Sequence, residues 1–380
     1  MKDGIRPLFQ PPAARAARVA ILMSGSGSNA ERVIERLRAC QPVLCEVAAL
    51  ATDAPETSRA RELGRRYDIP VVEHDIRRFY ADHGETRVSI ATPRGRELRE
   101  RWTDGLRQRL APHAPDFAIF AGFVPLTNLT NDTLCLNVHP GDLTERQDGR
   151  RILVGLHTVP IERAILAGLE SLRSSVIQAL PYTGGDDMDN GPILGISAPV
   201  PVDLHGVSLE TLQQQAAARP ERRPKDGFGD DLERIARANQ ENLKVHGDWV
   251  VLPPVVIDVA TGRFGTDAAG GLYIAMGRTW HPIETVVYSP DGSREVLFRD
   301  PQAWEFLRRS VIPAIVEAKQ DEAPIRVWSA ACATGQEAFT LAMAFCEVLG
   351  MEKAGRLLKV YATDVDESAL AVGRAALYHE

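Results

Sequence analysis

Thr133-Leu134-Cys135-Leu136-Asn137-Val138-His139-Pro140-Gly141 is the stretch on which the reading of most of the chain turns. It reads as one buried strand that ends in polar chemistry. Side chains alternate along a strand, so Cys135, Asn137 and His139 share one face while Leu134, Leu136 and Val138 take the other. Pro140-Gly141 stops the strand directly after the histidine. An amide and an imidazole therefore stand side by side at a carboxyl end, where open α/β sheets place their ligands. Alone, Asn-x-His also fits an ordinary core strand whose polar groups are satisfied locally.

The surrounding composition excludes several function classes. The chain has 380 residues, 44% apolar and 25% charged, as in a globular protein of two or more domains. A net charge of −7 offers no basic field for nucleic acid or an anionic membrane, so small-molecule substrates are expected and the oligomeric state is open. No apolar run approaches the ~20 residues of a membrane span. Residues 1–17 lack the apolar core of a signal peptide and read as a loose, disordered tail. Cys40, Cys45, Cys135, Cys332 and Cys346 form no C-x-x-C pair and no zinc spacing, so no metal is expected and a reducing cytoplasm fits.

Strands and helices alternate from Arg18 onward. Arg18 to Met23 is a short apolar strand, Ser24-Gly25-Ser26-Gly27-Ser28-Asn29 a turn, and Ala30 to Ala39 a helix. Such a turn can cradle a phosphate, because glycines let the backbone approach and a helix start offers free N–H groups. It can equally be merely tight. It lacks the third glycine of the dinucleotide fingerprint. Strands are expected at 44–52, 70–72, 117–122, 174–180 and 193–199, and helices at 58–67, 95–110, 159–167, 207–218 and 232–245. Residues 77–92 and 142–151 read as irregular. This alternation predicts an α/β fold with a doubly wound, mainly parallel sheet in a domain over 18–288. Residues 219–231 are expected to form a mobile loop, 254–288 a β-rich extension and 289–295 a linker. A second, partial α/β unit then occupies 296–380: helix 301–319, strand 325–329, helix 337–348, strand 358–363, helix 367–376.

Five motifs in order carry a resemblance: Ser24 to Asn29, Phe120-Ala121-Gly122-Phe123, Asn137-Val138-His139-Pro140, Gly155-Leu156-His157-Thr158 and Met188-Asp189-Asn190-Gly191-Pro192. Over roughly Ala17 to Pro254 the chain resembles the formyltransferases that use 10-formyltetrahydrofolate, in particular the phosphoribosylglycinamide branch. The resemblance implies a Rossmann-type fold, transfer of a formyl group to an amine such as glycinamide ribonucleotide in purine biosynthesis, and 10-formyltetrahydrofolate as co-substrate. It makes Asn137, His139 and Asp189 the catalytic group, with Asp189 holding opposite charge beside the imidazole. It makes Gly25, Ser26, Gly27, Ser28 and Asn29 the substrate-phosphate loop. Phe123, Val124, Pro125 and Leu126, with Asp187, become the folate cleft. Against the family's pattern, Gly141-Asp142-Leu143-Thr144 follows His139-Pro140 where Ser-Leu-Leu-Pro is usual, and the segment before Gly155 is longer. These departures bear on the acceptor. An amino-sugar formyltransferase, a formyltetrahydrofolate hydrolase and a non-catalytic binding protein stand as alternatives.

Phe298-Arg299-Asp300-Pro301, Arg326 to Glu337 and Ala362-Thr363-Asp364-Val365-Asp366 resemble the chemotaxis-receptor glutamate methyltransferases over Val296 to Tyr378. The resemblance makes Arg299, Ala331, Glu337 and Asp364 part of an S-adenosylmethionine pocket. The family's N-terminal helical domain and later strands are not in the sequence. The expectation is therefore a truncated methyltransferase unit with a vestigial cofactor site and an exposed strand edge along 358–363.

Overall fold

The structure, a computed structural model, describes residues 5–156, 158–182, 189–220, 223–224, 227–277, 279–298, 304, 306–319, 323–330, 332, 335–365 and 367–375. Its contacts divide the chain into one unit of residues 1–275 with 280–297 and a second of 276–279 with 298–380.

The sheet of the first unit has a parallel centre. Its strands are β1 (Arg6–Pro7), β2 (Ala17–Leu22), β3 (Cys45–Thr52), β4 (Val71–Glu73), β5 (Phe117–Phe120) and β6 (Cys135–His139). A small hairpin, β7 (Arg146–Gln147) with β8 (Arg150–Arg151), and a short β9 (Ser171–Leu172) precede β10 (Ser175–Ala179) and β11 (Ile193–Ser197). Then come β12 (Val200–Pro201), β13 (Phe264–Thr266), β14 (Leu272–Met276), β15 (Thr279–Tyr288) and β16 (Arg294–Phe298). The order is β1-β13-β14-β15-β11-β10-β6-β5-β2-β3-β4, with β16 added beside β15. Strands β4, β3, β2, β5 and β6 are parallel, while β10 runs antiparallel to β6 with Ser175 opposite His139 and Ile177 opposite Asn137. The chain leaves β2 for β3 on one side and returns to β5 on the other, so a topological switch point opens between β2 and β5 at their carboxyl ends.

Helices follow from apolar spacing. In α1 (Ser28–Arg38), Ala30, Val33, Ile34 and Leu37 form one buried stripe at the 3.6-residue period. The next helices are α2 (Ala60–Tyr67), α3 (Ile76–Asp82) and α4 (Pro93–Leu110). In α4, Thr92 caps the start by accepting from Gly95 N, and Leu98, Trp102, Leu106 and Leu110 are buried. After these come α5 (Val159–Leu166), α6 (Leu209–Ala217), α7 (Asp231–Leu243) and α8 (Trp249–Ala260), with one π-helical turn, Lys244–Asp248, joining α7 to α8.

Several expectations need correction. Residues 255–260 belong to α8, not to a β extension. A continuous Val/Ile run suits a buried helix as well as a strand, and here nearly all of it is buried. Pro253 and Pro254 lie inside this helix. The N-terminal stretch is not loose where it is described: Arg6 pairs with Thr266, Leu8 N donates to Phe264 O, and the Phe9 ring meets Phe117 at 5.2 Å. Residues 76–82 are helical rather than irregular, because Asp75 caps them through Arg78 N. The expected linker is a hairpin turn, Gly292 N donating to Ser289 O, that leads β15 into β16.

Residues 219–231, expected to be mobile, carry an ionic network among the described residues. Arg219 bonds Asp230 at 2.7 Å and also reaches Glu162, and its guanidinium lies 4.1 Å over the Phe228 ring. Glu233, 3% exposed, accepts from Arg237, from Gly229 N and Phe228 N, and pairs with Arg223. Burial opposes its charge, but these donors win and hold the carboxyl well below its usual range, at about 2. A depressed carboxyl contributes stability above its unfolded value, lost as pH falls toward the folded one. Glu233→Gln is therefore expected to destabilise the unit by roughly 2–3 kcal/mol at neutral pH. Urea unfolding of both proteins should show that gap closing between about pH 4 and pH 2.

In the second unit, strands Ile325–Ala330 and Leu358–Thr363 pair in parallel, with Ala330 opposite Thr363. Ile312, Ile325, Ala344 and Phe345 form its core, the last two from helix Gln336–Leu349. Helix Met351–Leu357 was not evident in the sequence. The sheet has two strands among the described residues. Trp328 at 70% and Tyr361 at 51% exposure stand on it uncovered.

Candidate active site

The residues singled out at strand ends lie at the carboxyl ends of β2 and β6 in the parallel centre of the first unit's sheet. Ser24 follows β2 and ties three segments together. Its hydroxyl donates to Asp53 at 2.5 Å and accepts from Val124 N at 2.9 Å, and its N–H donates to Gly122 O. Burial pushes the Asp53 carboxyl up, and the Ser24 bond opposes that.

Asn137 and His139 lie on β6, and Asp189 arrives from the loop before β11. Asn137 Nδ2 is 3.4 Å from Asp189 Oδ1, and His139 Nδ1 is 3.3 Å from Asp189 Oδ2. The other ring nitrogen, Nε2, faces the Leu153 carbonyl at 2.7 Å. Both ring nitrogens thus face oxygen atoms. The 3.3 Å contact is long for a charge-assisted bond. His139 is only 3% exposed.

Beside this group lies a cavity of about 290 Å³, whose lining includes Asn137, His139, Asp189, Leu156 and the run Phe123, Val124, Pro125 and Leu126. Phe123 stacks on Phe120 at 5.6 Å and on Trp102 at 6.2 Å, which gives one wall a flat aromatic face. Asp187 and His157 lie outside the described residues.

The Ser24 to Asn29 turn leads into α1, with Gly27 in the left-handed region at φ 65°. A Cβ at Gly27 would meet Met23 Cε at 2.3 Å, whereas one at Gly25 meets nothing within 4 Å. Gly27 thus serves packing as well as the turn, and Gly25 leaves the backbone open. Arg59 Nη1 donates to Ser26 O at 3.1 Å. Behind the turn, Asn29 Nδ2 donates to Asp248 at 2.8 Å, and Ser174 Oγ donates to the same carboxylate at 2.6 Å. Burial pushes Asp248 up, against those two bonds. Nothing in the sequence marked Asp248, an isolated acid between helices.

In the second unit, Glu337 and Asp364 stand just past the carboxyl ends of the two parallel strands, where Rossmann-like sheets hold ligands. Glu337 accepts from Ser329 Oγ at 2.8 Å. Arg299 and Ala331 lie outside the described residues.

An α/β unit with polar strand ends around a cleft and a partial Rossmann-like unit define the class of the two parts. Residues 295–380 match the family model "CheR methyltransferase, SAM binding domain". Over 99 residues the chain is 36% identical to chemotaxis protein methyltransferase 1 of Pseudomonas aeruginosa, covering 25% of this chain and 35% of that protein. Over 85 residues it is 41% identical to an uncharacterized 104.1 kDa protein of Rhodobacter capsulatus, covering 22% of this chain and 9% of that protein. The chain thus spans about a third or less of the length of these relatives. Among solved structures, it is similar to the phosphoribosylglycinamide formyltransferase of Coxiella burnetii, with 16% identity, a TM-score of 0.44, and coverage of 70% of this chain and 96% of that one. The corresponding protein of Anaplasma phagocytophilum gives 18% identity, a TM-score of 0.44, and coverage of 72% and 98%. No helix among the described residues is long and apolar enough to cross a membrane.

Proposed function

We propose that the first unit transfers a formyl group from 10-formyltetrahydrofolate to a primary amine, with glycinamide ribonucleotide as the acceptor to test first. The observation that carries this reading is the convergence of Asn137, His139 and Asp189 within 3.3–3.4 Å at the end of β6, beside an apolar cleft. The aromatic wall of Phe120 and Phe123 suits a flat heteroaromatic ring. The folate supplies an activated formyl carbon. The amine nitrogen bonds to that carbon, its bond to the folate nitrogen breaks, and negative charge passes through the formyl oxygen. Asn137 Nδ2 and, with the ring protonated, His139 Nδ1–H are the donors for that charge. Asp189 stabilises the protonated ring and accepts the amine proton, directly or through water, and the departing folate nitrogen gains a proton. The amino-sugar, hydrolase and binding-only alternatives separate in one assay, which follows formyl loss from 10-formyltetrahydrofolate with and without glycinamide ribonucleotide. Loss that needs the acceptor supports transfer, loss without it marks a hydrolase, and no loss in either arm contradicts the reading.

The Ser24 to Asn29 turn is assigned to the acceptor's phosphate, because open backbone N–H groups at a helix start favour a dianion. Gly25→Val is the clean test, since a Cβ added there meets nothing within 4 Å. It is expected to raise KM for a phosphorylated acceptor roughly tenfold, about 1.4 kcal/mol, with folate affinity nearly unchanged. Equal weakening of both ligands would make the turn structural.

For the second unit we infer a methyltransferase origin without methyl transfer in this chain. Its match to an S-adenosylmethionine-binding family supports the origin. Among the described residues, helix Gln336–Leu349 packs on one face of the two-stranded sheet while Trp328 and Tyr361 stand exposed on the other, and that open face is the ground for expecting no turnover. Calorimetry with S-adenosylmethionine is expected to show no micromolar binding, which would be about −8 kcal/mol. A micromolar isotherm would reverse this assignment.

A further inference from the structure

The hairpin of β7 and β8 sits in the lengthened segment after His139. Asp148 at φ 50° and Gly149 at φ 76° turn it, the pair of positive φ values of a type I′ turn. Arg146 stands opposite Arg151, and Gln147 opposite Arg150. Arg146 and Arg150 are exposed, whereas Arg151 is partly buried and turned toward the loop before β11. Its Nη1 donates to the Asp189 carbonyl, and its Nη2 donates to the Gly191 carbonyl at 2.8 Å. Burial, with the charge of Arg146 nearby, pushes the Arg151 guanidinium down to about 10. Keeping a desolvated cation is costly, so its contacts call for a purpose.

The loop shows what those contacts secure. Gly191 is fixed against β10: a Cβ there would meet the Gln178 carbonyl oxygen at 1.7 Å, and Gln178 N donates to Pro192 O at 3.1 Å. Two residues earlier, Asp189 sits in the left-handed region at φ 63°, which costs a non-glycine residue on the order of 1 kcal/mol. One guanidinium spans both carbonyls, fastening the strained residue to the fixed one.

We propose that Arg151 is a positioning residue, which holds Asp189 in this backbone conformation and so aims its carboxylate at Asn137 Nδ2 and His139 Nδ1. The fork of the guanidinium is essential, since a lysine ammonium is a point donor that does not span two carbonyls in plane. The hairpin is then the device that delivers the fork. The consequence for rate rests on the formyl-transfer reading; the consequence for the geometry around His139 does not.

The test reads both. In the full chain with ring-labelled histidine, the His139 resonance, assigned by its loss in His139→Ala, is followed by NMR against pH. Among the described residues, Asp189 faces the ring at 3.3 Å and the buried Asp248 acts on it through space. Asp189→Asn removes the nearer negative charge and should lower the His139 midpoint. Arg151→Lys keeps the positive charge and loses the fork, so it should lower the midpoint in the same direction, with little further change in the double variant. Formyl-transfer kcat should fall roughly tenfold to a hundredfold, with folate KM changed less. Gly149→Val gives an independent disturbance: nothing lies within 4 Å of the added carbon, but φ 76° strains it and displaces the hairpin. It should move the midpoint the same way, and it is the deciding variant if Arg151→Lys does not fold. An unmoved midpoint in a folded variant overturns the clamp, even where wild-type formyl transfer is present. A moved midpoint in a protein without formyl transfer upholds the clamp and removes the catalytic reading.

Discussion

His139→Ala is expected to lower formyl transfer by at least about 10²-fold, the scale of a lost acid or oxyanion donor. The ring lies between the Leu153 carbonyl and the Asp189 carboxylate, and it lines the cleft with Asn137. On the proposed reading, removing it takes away one oxyanion donor and the imidazole beside Asp189. It also leaves the Leu153 carbonyl without its side-chain donor, at a cost of about 1–3 kcal/mol. The variant should therefore be compared after circular dichroism shows an intact fold. Near-wild-type turnover in the folded variant would contradict the assignment.

Trp102→Ala is expected to destabilise the first unit by about 3–5 kcal/mol, among the largest effects of a single core truncation. Trp102 is fully buried in α4. Its ring stacks on His74 at 5.4 Å, and its Nε1 donates to the His74 carbonyl at 3.1 Å. It also backs Phe123 in the cleft wall, so the cavity it leaves reaches the candidate site. In a domain of this size the melting temperature should drop by on the order of 10 °C. Folate affinity should weaken in parallel. A drop of only a degree or two by calorimetry would mean that the surroundings collapse into the space.

The site was legible where chemistry follows local pattern. Asn137 and His139 share a short apolar stretch stopped by Pro140-Gly141, so their adjacency at a strand end was readable from alternation alone. The glycine turn before α1 was visible for the same reason. The carboxylate-dense loop of residues 184–192 was visible, but Asp189 was singled out within it through the family resemblance, because its meeting with His139 depends on β10 and β11 folding back beside β6. Arg151 and Asp248 gave no signal, since each acts through a partner distant in sequence. The misread elements fail for physical reasons. The Val/Ile run of α8 has no periodicity because it is buried nearly all round. The Arg6–Pro7 strand and the Ser289 turn take their roles from sheet partners, β13 and β15, that no local composition reveals.

The most direct measurement is a chase of label. The full chain is mixed with 10-formyltetrahydrofolate carrying carbon-13 in the formyl group, with glycinamide ribonucleotide as acceptor, and the formyl resonance is followed by NMR. The expected result is a new formamide signal on the acceptor, formed by the wild type and at least about 10²-fold more slowly by His139→Ala. A formyl resonance that stays on the folate, or that appears as free formate at the same rate with and without acceptor, would contradict formyl transfer by this site.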